Sequence, residues 1–414
     1  MSNYLPRAEK VFARVNELAA ISEHETGITR TFGTPEFLRG SALVSGWMQQ
    51  AGLQVHTDHI GNVRGKLLSK KPNAKTFVIA SHIDTVVNAG RFDGPLGVIL
   101  GLNVIKQFIN DKTELPFHIE LIAFSDEEGV RFHTTYLGSK VVAGSFDKSF
   151  LDRTDKTGTT LKQVVESFGG DVESLAKDAI PADEWLGYFE VHIEQGPVLY
   201  ENKIPVAVVT AIAGQKRVEI TFTGIAGHAG TVPMDMRNDA LTCASEFVLA
   251  VESFGIENKD RLVATIGKLD LTDSASNVIP GKVVCSLDLR SPDERYLALA
   301  YQQIKDTCTK LSGKRKIELN WNLIQETKPV TCDAGLNDLL KQAISKSGID
   351  LVELVSGAGH DAVPVSQIAP ATMLFVRCFK GISHNPLENA ELADVAAAIQ
   401  VSEEFIKQLI KKYE

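Results

Sequence analysis

Apolar positions along the chain follow two spacings. Apolar residues three and four apart mark helices at Arg7 to Ile21, Ser41 to Ala51 and Leu96 to Asn110. Gly52 supplies a stop for the second. Short apolar runs predict buried strands: TFVIAS at Thr76 to Ser81, HIELIAFS at His118 to Ser125, Tyr188 to His192, and ATMLFVRC at Ala371 to Cys378. Helices interleaved with such runs predict an α/β sheet.

The stretch 214–329 has a different rhythm. Arg217 to Thr223 alternates, with Val218, Ile220 and Phe222 on one side. Arg237 to Phe254 is helical, Leu262 to Leu269 is a strand, and Val283, Cys285, Leu287 and Leu289 alternate. Asp293 to Leu311 places Leu297, Ala300, Ile304, Cys308 and Leu311 on one helical face, and Ile317, Leu319 and Trp321 alternate again. The order β-α-β-β-α-β is the split pattern of a ferredoxin-like sandwich. The expectation is a larger domain in two segments, 1–213 and 330–414, interrupted by an inserted small domain, 214–329.

Composition narrows the partners. The chain has 414 residues, 44% hydrophobic and 23% charged, an ordinary globular balance with room for two domains. A net charge of -9 argues against a nucleic-acid partner, which needs a basic surface. The N-terminal MSNYLPRAEKVFARVNELAAI carries charges throughout and lacks the apolar core of a signal peptide. No window approaches the ~18 uninterrupted apolar residues of a membrane span. Cys243, Cys285, Cys308, Cys332 and Cys378 form no CxxC pair and read as reduced, buried thiols. The expected location is the cytoplasm.

The chemistry gathers at strand ends. TFVIAS runs into His82, LIAFS into Asp126, Glu127 and Glu128, YFEV into His192, and MLFVRC is followed six residues on by His384. In open α/β sheets the ligand crevice lies outside the carboxyl ends of the strands. In SHIDT, His82 suits a metal ligand and Asp84 the carboxylate that orients it; alone, such a histidine is an ordinary polar residue. Asp93, in GRFDGPLG, reads by itself as a turn aspartate, but its two oxygens can bridge two cations. Three consecutive carboxylates in DEEG call for a cation to offset their repulsion, although a solvated acidic loop has the same composition. Glu128 is assigned as ligand and Glu127 as general base, beside the ions but not consumed by them. HIEQG and GISHNP add His192 and His384. Three histidines with carboxylates suit Zn, Mn or a similar first-row ion.

These motifs resemble the allantoate amidohydrolase and N-carbamoyl-amino-acid hydrolase group of the dimetal aminopeptidase/acylase superfamily. The match runs from about Thr76 to Glu388 through SHIDTVVNAGRFDGPLG, AFSDEEGVRFHTTYLGS, HIEQGPVL, GHAGTVPMDMRND, SGAGHDA and GISHNPLE. DEEGVRF, GHAGTVPM and MLFVRC resemble the plant allantoate enzymes most, but without the targeting segment expected of those, so a bacterial-style cytosolic relative is expected. The resemblance implies a mixed-sheet, dimetal exopeptidase-type catalytic domain with an inserted lid and dimerisation domain, two divalent ions (Zn or Mn) per subunit, and a homodimer formed through the insertion. It implies that His228 reaches the partner subunit's active site and stabilises the oxyanion. Asn277 and Arg290 match residues that bind the substrate carboxylate and amide. Gln195 and the pair Gly359–His360 match further substrate contacts, and Arg217 is an additional candidate. On their own, Arg290 ends an alternating strand, Asn277 sits in a turn-like stretch and His228 lies among small residues, none of which demands a function. The implied activity is hydrolysis of a ureido C–N bond in a small carboxylate, with Glu127 moving the proton: allantoate to ureidoglycine or ureidoglycolate, plus ammonia and carbon dioxide. N-carbamoyl-L-amino acids, N-carbamoyl-β-alanine and ureidoglycolate carry the same groups and stay open as substrates. A non-catalytic dimeric metal-binding protein is the reading from another class, opposed by the presence of every ligand and the base.

Overall fold

The computed structural model describes residues 4–414. The chain divides into two compact units, one made of residues through Thr210 together with Cys332–Glu414, the other of Ala211–Thr331.

The first unit is built on one mixed sheet. Its strands run in the order Gln54–Thr57, Val63–Leu67, His118–Phe124, Thr76–His82, Trp185–Ile193, Ala371–Val376 and Val206–Ile212, with Glu353–Ser356 pairing beside Val206–Ile212. The four strands that end in candidate ligands are consecutive neighbours and mutually parallel. They are almost wholly buried, which is why they read as apolar runs rather than alternations. Antiparallel strands flank them, Val63–Leu67 on one side and Val206–Ile212 on the other. Helices Leu5–Ala19, Pro95–Asn110 and Leu392–Tyr413 pack together beside the sheet. Phe405 of the last helix meets Phe189 at 4.8 Å and Phe77 at 6.1 Å between ring centroids. Each such ring contributes about 1.5–3 kcal/mol by burial. Being parallel and adjacent, the four strands bring their carboxyl ends to one edge of the sheet.

The second unit is a four-stranded antiparallel sheet in the order Glu318–Thr327, Gly214–Thr223, Lys282–Ser291, Val263–Thr272. In chain order this is 4-1-3-2, the strand arrangement of the split βαβ motif. Val218, Ile220, Phe222, Val283, Cys285, Leu287 and Leu289 form its core with Phe247 and Ile304 from helices Ala240–Glu257 and Glu294–Arg315. The alternate positions, among them Arg217, Glu219, Ser286, Asp288 and Arg290, face away from that core. The first of these helices starts later than the apolar pattern suggests. Asp239 caps it by accepting from Thr242 N–H, while Arg237 spends its guanidinium on the carbonyls of Val232 and Ala229.

All five cysteines are buried. Burial pushes the thiols of Cys285, Cys308 and Cys332 up to about 12, so they stay protonated. No described helix is long and apolar enough to cross a membrane.

Candidate metal centre

His82 is the last residue of its strand and is buried. Its Nδ1 donates to the Asp84 carbonyl oxygen at 3.1 Å and lies 3.5 Å from the Asp84 carboxylate, so Nε2 is the nitrogen left to a ligand. The Asp84 carboxylate also accepts from the backbone N–H groups of Glu127 and Glu128, each at 3.1 Å. One side chain thus orients His82 and fastens the acidic loop to the neighbouring strand. His192 repeats the pattern: Nδ1 faces the Ile193 carbonyl at 3.0 Å, and Nε2 faces His82 Nε2 at 3.5 Å.

Asp93 sits between these histidines and His384. Its Oδ1 is 3.2 Å from His192 Nε2, and its Oδ2 is 3.1 Å from His384 Nε2, 3.0 Å from Gln195 Nε2 and 3.1 Å from Ser383 Oγ. His384 Nε2 is also 3.5 Å from Glu128 Oε1. Gly94 makes this approach possible. Its φ is +81°, and a Cβ there would collide with the His82 ring. Gln195 and His384 adopt φ of +57° and +53°, left-handed for residues with side chains. Such strain costs about 1–3 kcal/mol per residue and is characteristic of functional sites.

Proton affinities follow from burial and crowding. Burial, then Glu128, holds the Glu127 carboxyl well above the usual range. Burial, then Asp93, pushes Glu128 up to about 7. Burial would raise Asp93, but the imidazoles of His192 and His384 beside its carboxylate outweigh it and hold it well below the carboxylate range. The bond to Asp93 pushes His384 up to about 9. Burial alone would lower His82; Asp84 and Glu127 outweigh it and hold the ring well above its ordinary value. The pattern is that of negative groups gathered closer than they tolerate without cations.

Two ligand groups share Asp93: His82, Asp93 and His192, and Asp93, Glu128 and His384. Within each, the candidate atoms lie within 4.8 Å of one another. Buried Asp93 Oδ1 has no hydrogen-bond partner, although His192 Nε2 is 3.2 Å away, a proximity without hydrogen-bond alignment. An orphaned carboxylate oxygen and two imidazole Nε2 atoms facing each other fit divalent ions. Glu127 forms a further group with His82 and Glu128.

The acidic triplet is divided by the fold. Asp126 joins none of these groups; it is buried and accepts from Gly129 N–H at 3.3 Å. His360, expected as a substrate contact, is only 1% exposed, with its ring centroid 4.5 Å from that of His192 and Nε2 at 2.7 Å from Ser356 Oγ. Burial, then His192, holds it well below the usual histidine range, so it backs His192 as a neutral ring. Gly359 leaves room for the Tyr136 hydroxyl, which a Cβ would overlap. Gln195 stands at the centre through its contact with Asp93.

The remaining candidates belong to the second unit. His228 is exposed, and its Nδ1 accepts from Gly230 N–H at 3.0 Å, so Nε2 carries the proton. Strand Gly227–His228 pairs with Val278–Ile279, and the carbonyl of Asn277 accepts from Ala229 N–H, which brings Asn277 beside the His228 loop. Arg290 makes two bonds of 2.9 Å to Asp288, and Arg217 adds one at 3.2 Å to the same carboxylate. Glu388 and Ser383 escaped the sequence reading. Both lie inside GISHNPLE, but nothing in their local spacing marks them as neighbours of Asp93.

Histidines and carboxylates converging on a shared aspartate at the carboxyl edge of a parallel sheet define a metal-dependent hydrolase. The model of peptidase family M20/M25/M40 matches residues 78–408, and the chain belongs to this family. It is similar to the allantoate deiminase of Arabidopsis thaliana, 38% identical over 96% of this chain and 82% of that protein. It is also similar to an N-carbamoyl-L-amino-acid amidohydrolase of Pseudomonas sp. (strain NS671), 34% identical over 96% of this chain and 97% of that protein. Among solved structures, an amidase of the hydantoinase/carbamoylase family from Burkholderia multivorans has a TM-score of 0.91 at 34% identity, covering 96% of this chain and 97% of that one. The resemblance read from the motifs holds.

Proposed function

We propose that the protein is a dimetal amidohydrolase cleaving the ureido C–N bond of a small carboxylate, with allantoate as first substrate. The observation that carries this reading is the pair of ligand groups sharing Asp93, with Glu127 alongside. His82, Asp93 and His192 would hold one ion, and Asp93, Glu128 and His384 the other. Zn and Mn both suit this donor set. When bound, such ions lower the pKa of water and polarise a carbonyl oxygen.

The side chains supply the rest. Glu127 accepts the proton of the attacking water as its oxygen bonds to the ureido carbon. It then delivers that proton to the leaving nitrogen as the C–N bond breaks. Its raised proton affinity suits a group that must hold a proton between two steps. The carbamate fragment falls apart to ammonia and carbon dioxide. His228, from the partner subunit of a homodimer formed through the inserted unit, donates Nε2–H to the carbonyl oxygen as charge develops there. Arg290 and Asn277 hold the substrate carboxylate and amide, with Arg217, Gln195 and Gly359 as further contacts. Arginine fits a carboxylate with two parallel bonds, the geometry it already makes with Asp288. Asp84 keeps His82 and the Glu127 loop in place, and the enzyme works in the cytoplasm.

A second reading, an N-carbamoyl-L-amino-acid hydrolase, draws on the Pseudomonas relative matched over 97% of its length. Ammonia release by protein reconstituted with Zn or Mn is to be measured on allantoate, N-carbamoyl-β-alanine, N-carbamoyl-L-amino acids and ureidoglycolate. The highest kcat/KM is expected on allantoate. A carbamoyl amino acid in first place would favour the second reading, and a metal-loaded protein inert on all four would end the catalytic one.

A further inference from the structure

Glu388 is buried, at 3% exposure, yet belongs to neither ligand group. Its Oε1 accepts from the backbone N–H of Phe92 at 2.7 Å and of Asp93 at 3.1 Å. Its Oε2 is 3.1 Å from Ser383 Oγ, and that hydroxyl is 3.1 Å from Asp93 Oδ2. Asp93 is therefore held through its backbone directly, and the one Ser383 hydroxyl proton, within reach of both carboxylates, links its Oδ2 to Glu388. The seat is tight, since a Cβ on Gly90 would overlap the Glu388 carboxyl group. The segment that carries Glu388 also carries His384 in its left-handed conformation. Glu388 N–H donates to the Asn385 carbonyl at 3.0 Å, and Leu387 N–H to Asn385 Oδ1 at 2.9 Å, closing the turn just after His384. One carboxylate fastens two loops, both bearing candidate ligands, that lie almost three hundred residues apart in sequence.

We infer that Glu388 is a positioning residue: it sets the direction of the Asp93 carboxylate and keeps His384 against it, touching neither ion nor substrate. This rests on the metal-centre reading above. A carboxylate shared by two ions must present both oxygens along fixed directions, while a free aspartate side chain turns about two bonds. Hydrogen bonds at the backbone and at Oδ2 remove that freedom before a ligand arrives. Partners of this kind are worth about 10–100-fold in metal affinity or activity.

The test is a metal titration of the full chain, stripped and then competed against a chelator with Zn or Mn, without substrate. Glu388→Gln keeps an oxygen for both amides and an N–H for Ser383, so near wild-type affinity is expected. Glu388→Ala removes all three bonds and should bind about 10–100-fold more weakly. With metal in excess, it should show a lower kcat at unchanged KM. Ser383→Ala keeps the backbone clamp; it should retain the wild-type Tm and bind metal more weakly than wild type. A merely structural role would lower Tm without moving metal affinity. Wild-type affinity in Glu388→Ala would overturn the inference, as would equal losses in the Gln and Ala variants. If Glu388→Ala does not fold, Ser383→Ala decides, with unchanged affinity there counting against the inference. A wild-type protein that binds no ion would sink the metal-centre reading and this inference together; an unaffected Glu388→Ala beside a metal-binding wild type sinks the inference alone.

Discussion

The two units handle charge in opposite ways. In the first, His82, Asp93, Glu127 and His192 are buried, and their proton affinities are displaced by burial and by one another. In the second, Arg217 and Arg290 lie on the face of the sheet away from its core and share the Asp288 carboxylate. That carboxylate sits below its usual range because the two guanidiniums outweigh its partial burial. The first arrangement accumulates repulsion that protons or bound cations relieve. In the second, two guanidiniums share one carboxylate, so positive charge is left in excess and an incoming carboxylate need not displace Asp288 entirely. The difference separates a buried, crowded cluster of carboxylates and imidazoles from an exposed face with guanidiniums in excess.

The largest expected effect lies in the first unit. Glu127→Gln should lose about 10²–10⁴-fold in kcat, the usual worth of a positioned acid-base group, while keeping both ions. Turnover near wild type, measured alongside metal content, would remove Glu127 as the base and blur the contrast between the units. Next comes the second unit. Arg290→Ala should reduce kcat/KM on a ureido carboxylate by about 10–100-fold, the scale of about 1.5–3 kcal/mol for charged hydrogen bonds, with metal affinity untouched. If kcat/KM does not move, the substrate carboxylate is held elsewhere. The smallest effect is graded in pH. Before metal binds, His384 holds its proton up to about 9 and Glu128 up to about 7. Metal must displace both protons below about 7 and the His384 proton up to about 9, besides any proton on His82, whose affinity is also raised, so metal affinity should rise with pH through this range. The slope is up to about tenfold per pH unit for each proton displaced. Chelator competition from pH 6 to 9.5 reads this directly, and a flat profile would mean that the carboxylates and His384 do not compete with protons for the ions.

Much of the first unit was legible because parallel strands covered on both faces must be apolar throughout, and such runs stand out in a sequence. Their ends pointed at His82, the DEEG segment, His192 and His384. The flanking strands were harder. VRGKL at Val63–Leu67 mixes charge with apolar residues because Arg64 pairs with Glu120 on the next strand, a partner 56 positions away. His360 was expected as a substrate contact from the resemblance alone, and only the fold shows its ring buried against His192. Glu388 reads as an ordinary surface glutamate after Pro386 and Leu387, and only its bonds to Phe92 and Asp93 reveal otherwise.

The sequence alone determined which residue types stand at the strand ends, the rhythm of each element and hence the contrast between the two units. Periodicity and side-chain chemistry are local properties that survive without neighbours. The tertiary structure alone decided that Asp126 turns away from the ligand groups, and that Glu388 and Ser383 hold Asp93 in place. Those outcomes depend on hydrogen bonds and desolvation between segments hundreds of residues apart, and such partners exist only once the chain has folded.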